Sequence, residues 1–194
     1  MLGLKLETDP RWVNIVETNI EEILTDHAYC EQKAASNALS IMIGFPYHTD
    51  LVDEMVKLAK EELTHFEMVH QKIKDRGFKL GFERKDEYVG ELYKFMRKGH
   101  QKEIVLIDRL LFGAMIEARS CERFKILSEQ ILDQDLKAFY RDLMISEATH
   151  YTLFIGFARK YGSDVEDVDQ RWQQWLNYEA EIVKKFGKKE TIHG

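Results

Sequence analysis

The sequence predicts an all-α protein: a four-helix bundle with a long crossover between its second and third helices and an additional C-terminal helix, in one domain spanning 1–194. Three observations lead there. Apolar residues recur at steps of three and four through most of the 194 residues, the period of helices that bury one face. Only two prolines and eleven glycines are present, too few for a sandwich or barrel that turns every ~8–12 residues. One polar connection, from Gly77 to His100, is long enough to run the length of a bundle.

The first helix is expected over about 11–43, with a stripe of Trp12, Val16, Ile20, Ile23, His27, Glu31, Ala34, Ala38 and Met42, stopping ahead of Gly44 and Pro46. The second, about 50–76, takes Thr49 or Asp50 as N-cap and ends at Arg76-Gly77. Its stripe reads Val52, Met55, Ala59, Glu62, Phe66, Val69, Ile73. A short helical piece around Asp86 to Arg97 interrupts the crossover. The third helix, about 101–130, reads Ile107, Leu110, Ala114, Glu117, Cys121, Phe124. The fourth, about 134–161, reads Leu136, Phe139, Leu143, Glu147, His150, Phe154, Phe157, Tyr161. A fifth, about 164–186, carries Val168, Trp172, Trp175, Leu176, Ala180 and Val183 and is expected to lid the bundle.

Composition narrows the class further. The chain has 28 Lys+Arg against 34 Asp+Glu, a formal charge of −6, with 44% hydrophobic and 32% charged residues, ordinary for a globular chain with one packed core. Glu7, Asp9, Arg11, Glu17, Glu21 and Glu22 break up any secretory apolar run. The longest apolar runs, such as Leu110 to Ile116, fall short of the ~20 residues of a membrane span. A cytoplasmic protein with no membrane partner is expected. Cys30 and Cys121 form no Cys-x-x-Cys or zinc pattern and read as small, reduced core residues.

The stripes carry acids where core residues belong. An ionised carboxylate is buried only with a partner or a metal, so Glu31, Glu62, Glu117 and Glu147 ask for a shared counter-charge. The stripes offer no Lys or Arg for a salt-bridged layer, the competing arrangement. Glu62-Leu63-Thr64-His65 and Glu147-Ala148-Thr149-His150 place a carboxylate and an imidazole at i and i+3, within ~60° on one helix face. With 21 glutamates and 7 histidines, chance supplies roughly one Glu-x-x-His, and four occur. Glu67-x-x-His70 lies off the stripe and Glu190-x-x-His193 in a Lys-rich tail; both read as surface pairs.

Register lifts the other two. Glu31 precedes Glu62 by 31 residues and Glu117 precedes Glu147 by 30, so each half supplies a helix pair bearing Glu, then Glu-x-x-His. Four carboxylates and two imidazoles in a helical bundle form the ligand set of a di-iron or di-manganese site, and the four acids neutralise two divalent ions. Glu122 lies about 140° round from Glu117 and off the stripe; it reads as an ion pair, with Arg119 or Arg123. His27, one turn before Glu31, reads either as a support for the site or as a satisfied core histidine.

Asp26-His27-Ala28-Tyr29-Cys30-Glu31-Gln32-Lys33-Ala34-Ala35, Lys60-Glu61-Glu62-Leu63-Thr64-His65-Phe66-Glu67, Ile116-Glu117-Ala118-Arg119-Ser120-Cys121-Glu122-Arg123-Phe124 and Ser146-Glu147-Ala148-Thr149-His150-Tyr151 together resemble the bacterial tRNA-(2-methylthio-N6-isopentenyladenosine) hydroxylase family. The resemblance spans nearly the whole chain. It implies a ferritin-like fold and a non-haem di-iron monooxygenase that hydroxylates the isopentenyl group of a hypermodified adenosine at tRNA position 37, using dioxygen and two electrons. The implied ligands are Glu31, Glu62, His65, Glu117, Glu147 and His150, holding two iron ions, with manganese as the alternative. The implied partners are the tRNA anticodon loop and an electron-donating reductase or ferredoxin. Phe66, Phe124, Leu143 and Phe154 are expected to keep water from the oxidant.

An acidic chain needs local cations to meet phosphate. From Lys72 to Lys102 ten basic residues stand against five acidic, a charge of +5 that leaves −11 elsewhere, and Phe78, Phe82, Tyr88 and Tyr93 interleave with them, either as rings for stacking on an unpaired base or as the inward-turned aromatics of a solvated crossover. The rival function keeps the metals without RNA: a ferritin-like ferroxidase, peroxide scavenger or small-molecule oxygenase.

Overall fold

In the computed structural model, which describes residues 2–186 and 191–193, every regular element among those residues is a helix: α1 (Trp12–Thr18), α2 (Ile20–Gly44), α3 (Thr49–Asp75), α4 (Glu87–Phe95), α5 (Lys102–Gln130), α6 (Gln134–Gly162) and α7 (Val168–Phe186). Among them, no helix is long and apolar enough to cross a membrane. The chain divides into two compact units, one formed by the described residues of Thr18–Lys85 and Glu190–Ile192, the other by those of Met1–Glu17, Asp86–Lys189 and His193–Gly194.

The first unit is a hairpin of α2 packed on α3. The expected first helix is in fact two, because the chain leaves helical geometry at Asn19 (φ −131°, ψ 42°), where Thr18 and Asn19 offer side chains that compete with the backbone ladder. Neither Thr49 nor Asp50 caps α3. The helix starts one residue earlier than expected, with the Val52 N–H donating to the His48 carbonyl at 2.9 Å. Its end falls where expected: Gly77 takes φ +71°, a left-handed conformation that glycine adopts without strain.

After Gly77 the chain lies back along α2. The Tyr29 hydroxyl donates to the Gly81 carbonyl at 3.0 Å, the Gly81 N–H to Thr25 Oγ1 at 3.4 Å, and Arg84 to the Glu22 carbonyl at 3.3 Å. The buried side of α3 comprises Leu51, Met55, Leu58, Ala59, Glu62, His65, Val69 and Ile73. Leu51 and Leu58 thus replace the expected Val52 and Phe66, a rotation of the stripe by a fraction of a turn.

The second unit is built on α5 packed against α6, with α4 and α7 laid over it. Gly113 lets the two long helices approach, since a Cβ there would stand 2.9 Å from the Phe154 ring. Asp133 caps α6, accepting from Asp135 N and Leu136 N at 2.9 and 3.1 Å. Helix α7 begins at Val168 rather than about 164, because residues after Gly162 turn on its carbonyl and Asp167 then accepts from Gln170 N at 2.9 Å. As expected of a covering helix, α7 packs on α4, α5 and α6.

An ion cluster centred on the fully buried Asp108 ties that cover down. Asp108 on α5 accepts from Arg97 Nη2 at 2.8 Å and from Arg171 Nη2 at 2.8 Å, while Arg97 also reaches Glu166 at 2.6 Å. The Arg171 guanidinium sits 4.4 Å from the centre of the Phe95 ring. Burial pushes the Asp108 carboxyl up, but hydrogen bonds from Arg171 and Arg97 outweigh it and hold the group below the usual carboxylate range.

Asp108→Asn would leave two guanidiniums facing a neutral amide and should cost about 3–5 kcal/mol, read as a fall in the denaturant midpoint. Because the folded value lies below the unfolded one, the stabilisation from Asp108 is complete above pH ~4 and disappears as pH falls through the folded value. Acid titration of stability should therefore be shallower in the variant than in the parent.

Candidate metal centre

In the α2–α3 unit, Glu31 and Glu62 occupy buried stripe positions of facing helices, and His65 follows Glu62 by one turn. None is more than 6% exposed. Ligand-type atoms of these three residues all lie within 4.8 Å of one another: His65 Nδ1 stands 3.3 Å from Glu62 Oε2 and 3.9 Å from Glu31 Oε2. The far ring nitrogen, Nε2, is 4.0 Å from Glu61 at the helix surface. Glu31 is held from behind by His27, whose Nε2 lies 2.6 Å from Glu31 Oε1.

The α5–α6 unit repeats the pattern. Glu117, Glu147 and His150 are at most 4% exposed, and their ligand-type atoms again lie within 4.8 Å of one another. His150 Nδ1 is 3.9 Å from both Glu117 Oε2 and Glu147 Oε1, and its Nε2 is 3.5 Å from Ser146 Oγ. In both units the imidazole thus turns Nδ1 toward two carboxylates and Nε2 toward a polar group four residues earlier, Glu61 or Ser146. Those two supports were readable as i, i+4 neighbours of each histidine but carried no signal apart from that spacing.

The donor chemistry fits a divalent metal. Two acids and an imidazole packed within van der Waals range inside a hairpin repel one another unless a cation or protons intervene, and carboxylate oxygen with imidazole nitrogen is the set that iron and manganese favour. Phe124, Leu143 and Phe154 are buried as expected, while Phe66 is only half-buried.

Glu122 belongs to a different cluster. It is buried, accepting from Thr8 N and Oγ1 at 2.9 and 2.7 Å and from Arg119 Nη1 at 2.8 Å. Arg119 also donates to Glu179 at 2.8 Å and to the Leu6 carbonyl at 2.9 Å. The off-stripe ion pair with Arg119 is therefore present, inside the protein rather than on it. Burial, aided by the neighbouring Arg119, lowers the Arg123 guanidinium to about 10.

Other expectations need correction or stop short. Tyr88 is fully buried, donating to Glu179 at 2.9 Å, so it is closed to any base, whereas Phe82 and Tyr93 are exposed and Phe78 half-buried. His193 is no surface residue: its Nε2 lies 3.0 Å from Ser120 Oγ and its ring stacks on Tyr88. Its companion Glu190 lies outside the described residues. Both cysteines are free thiols. The Cys121 thiol donates to the Met144 carbonyl at 3.3 Å, and burial, with Glu147 and Glu122 nearby, pushes it up to about 12, so it is an inert thiol.

Fold and clusters together define an all-α protein with buried carboxylate–imidazole sets suited to divalent metal. The family model for tRNA-(MS[2]IO[6]A)-hydroxylase (MiaE) matches residues 2–194. The chain is 40% identical over 159 residues to the tRNA 2-(methylsulfanyl)-N(6)-isopentenyladenosine(37) hydroxylase of Pseudomonas putida, covering 82% of this chain and 76% of that one. To the protein of the same name from Salmonella typhimurium it is 30% identical over 222 residues, 90% of this chain and 80% of the relative. A solved structure, protein 43 with aldehyde deformylating oxygenase activity from Synechococcus, is similar at a TM-score of 0.88 and 30% identity, over 98% of this chain and 95% of that one. The ferritin-like, all-α class expected from the sequence holds. The chain belongs to the MiaE family.

If His27 positions Glu31 for a cation, His27→Ala should weaken Mn(II) or Fe(II) binding by about 10–100-fold with the helical circular dichroism unchanged. Anaerobic titration of the metal-free protein measures it; unaltered affinity would leave His27 as a core histidine only.

Proposed function

We propose that this protein is an oxygen-dependent di-iron monooxygenase that hydroxylates the isopentenyl group of 2-methylthio-N6-isopentenyladenosine at position 37 of tRNA. The observation that carries the reading is the duplicated cluster, Glu31, Glu62 and His65 in one helical hairpin and Glu117, Glu147 and His150 in the other, in a chain of the MiaE family. We read the two hairpins as one domain in which these six residues hold two iron ions. Four carboxylates match the charge of two divalent ions.

When bound, the metal pair supplies the reduction of dioxygen and the oxidising power needed to open an unactivated C–H bond. The chain's own residues supply the rest. Glu31, Glu62, Glu117 and Glu147 are acceptor-only while ionised and can change between one- and two-atom contacts. His65 and His150 each present Nδ1, while the far nitrogen faces Glu61 at 4.0 Å and Ser146 Oγ at 3.5 Å. Phe124, Leu143 and Phe154 are buried side chains that would exclude water from the oxidant.

For the RNA, exposed cations between α3 and the first residue of α5 are the candidates: Lys79, Arg84 and Lys85 around the exposed Phe82, and Lys94, Lys98 and Lys102 around Tyr93. The Lys98 ammonium stands 4.4 Å over the Tyr93 ring. Arg97 is committed to Asp108 and Glu166 and is not counted among them. A cytoplasmic setting and an electron-donating reductase or ferredoxin complete the proposal. The Synechococcus structure shares the fold, and the activity in its name is on an aldehyde; family membership favours RNA here.

The deciding experiment digests tRNA after incubation with enzyme, reductant and oxygen. One added oxygen on the isopentenyl nucleoside is expected, and none, with iron loaded, would sink the assignment. Binding to an anticodon stem-loop should fall steeply with salt, as phosphate contacts do. Glu117→Ala should abolish turnover, while Glu122→Ala should keep most of it and instead lose about 1–3 kcal/mol of stability through the orphaned Thr8 and Arg119 donors. The opposite ranking would move the ligand from Glu117 to Glu122.

A further inference from the structure

The crossover between α3 and α5 carries two stretches that combine cations with an aromatic ring, and they differ in how they are held. The first, around Lys79, Phe82, Arg84 and Lys85, has no regular structure. The Lys79 N–H donates to Glu21 Oε1 at 3.5 Å, Arg84 donates to the Glu22 carbonyl at 3.3 Å, and Glu83 pairs with Lys33 at 2.9 Å. Its cations thus stand among acids and carbonyls of the protein itself, which weakens its pull on phosphate. Phe82, in its middle, is 94% exposed.

The second stretch, Tyr93 to Lys98, is fastened at two points. Arg171 Nη2 donates to the Phe95 carbonyl at 3.0 Å, and the Phe95 ring stacks on Tyr178 at 4.3 Å and meets Trp175 edge-on at 5.1 Å. Two residues on, the Arg97 N–H donates to Asp108 Oδ2 at 2.7 Å, and the Arg97 guanidinium donates to the same carboxylate at 2.8 Å. Tyr93 and Lys98 flank this anchored segment. The Tyr93 ring is 50% exposed, with Phe112 edge-on at 6.1 Å. The exposed Lys98 places its ammonium 4.4 Å from the ring centre, while Lys94 is paired with Glu91.

A surface ring with a cation beside it matches an unpaired base next to its own phosphate, the pairing that single-stranded RNA loops present. Ordering loose groups on binding lowers affinity, and here the backbone that carries both groups is ordered beforehand. The ammonium does not bar the ring. A cation over an exposed ring is held less tightly than a stacked base, and on leaving the ring it gains a phosphate. An acidic protein surface would use Lys98 alone and leave the exposed ring without a role.

We propose that Tyr93 and Lys98 form the RNA-docking point of the crossover: an unpaired loop base stacks on Tyr93 in place of the ammonium, and Lys98 pairs with the adjoining phosphate. This rests on the tRNA-hydroxylase function proposed for the chain. Titrating a fluorescent anticodon stem-loop with the whole protein tests it. Tyr93→Ala should raise the dissociation constant about tenfold with circular dichroism unchanged, and Tyr93→Phe, which keeps the ring, should recover the parent affinity. Lys98→Gln should reduce the slope of log affinity against log salt by about 0.7–1.

Stem-loop binding indifferent to both Tyr93→Ala and Lys98→Gln overturns the proposal. So does a larger loss from Phe82→Ala or Lys85→Gln, which would put the RNA on the first stretch. Should Tyr93→Ala fail to fold, the salt slope of Lys98→Gln still decides. A protein that adds oxygen to the nucleoside while its RNA binding ignores both changes keeps the function and loses only this docking point. One that neither binds the stem-loop nor adds oxygen removes both.

Discussion

Four glutamates sit where the helices want oil, and the chain tolerates them because each hairpin gathers two with an imidazole. Glu31, Glu62, Glu117 and Glu147 are all nearly inaccessible to water, and an uncompensated ionised acid in such a place costs several kcal/mol. The helices therefore cannot be understood as packing devices alone. The apolar residues on either side of each acid, such as Leu110 to Ala114 before Glu117 and Phe154 after His150, are what make burial of the acids affordable, because a helix anchored above and below a polar turn cannot swing it out to solvent.

The second unit shows the contrast between acids that serve structure and acids that wait for a cation. Asp108 and Glu122 are as buried as Glu117 and Glu147, yet they face guanidiniums at hydrogen-bonding distance. Arg97, Arg119 and Arg171 fasten α4, α5, α7 and the N-terminal residues Leu6 and Thr8 to one another. Glu117 and Glu147 instead lie near an imidazole. The same residue type on the same helix, five positions apart, is thus sorted by which face it occupies: Glu122 toward arginine, Glu117 toward histidine.

This sorting explains what was legible beforehand. A helical period of 3.6 assigns faces, so Glu31, Glu62, His65, Glu117, Glu147 and His150 fall into two clusters from spacing alone, and Glu122 separates from Glu117 by angle. Periodicity does not see where a helix stops for local reasons, hence the break at Asn19 and the late start of α7. Nor does it see long-range burial of polar residues. Charged neighbours in sequence leave Tyr88 readable either as a stacking ring or as an inward-turned one, and the lysines before His193 suggest a surface group. Both are enclosed by partners distant in sequence, Glu179 for Tyr88 and Ser120 for His193.

Phe157 departs from the expected inner stripe of α6 and lines the outer concavity instead. Two positions bracket it. Phe154 lies three residues before and faces inward beneath Gly113, while Gly156 adjoins it on the open side. At 100° per residue, Phe157 lies ~60° from Phe154, close enough to pass for the same stripe when only apolar letters are read. What separates them is the row each continues: Leu143, Glu147, His150 and Phe154 run inward, whereas Ile145, Thr149, Leu153 and Phe157 run at strict steps of four along the outside. A helix apolar on two sides reads as one broad stripe in sequence, and only the row each residue continues separates the inner side from the outer.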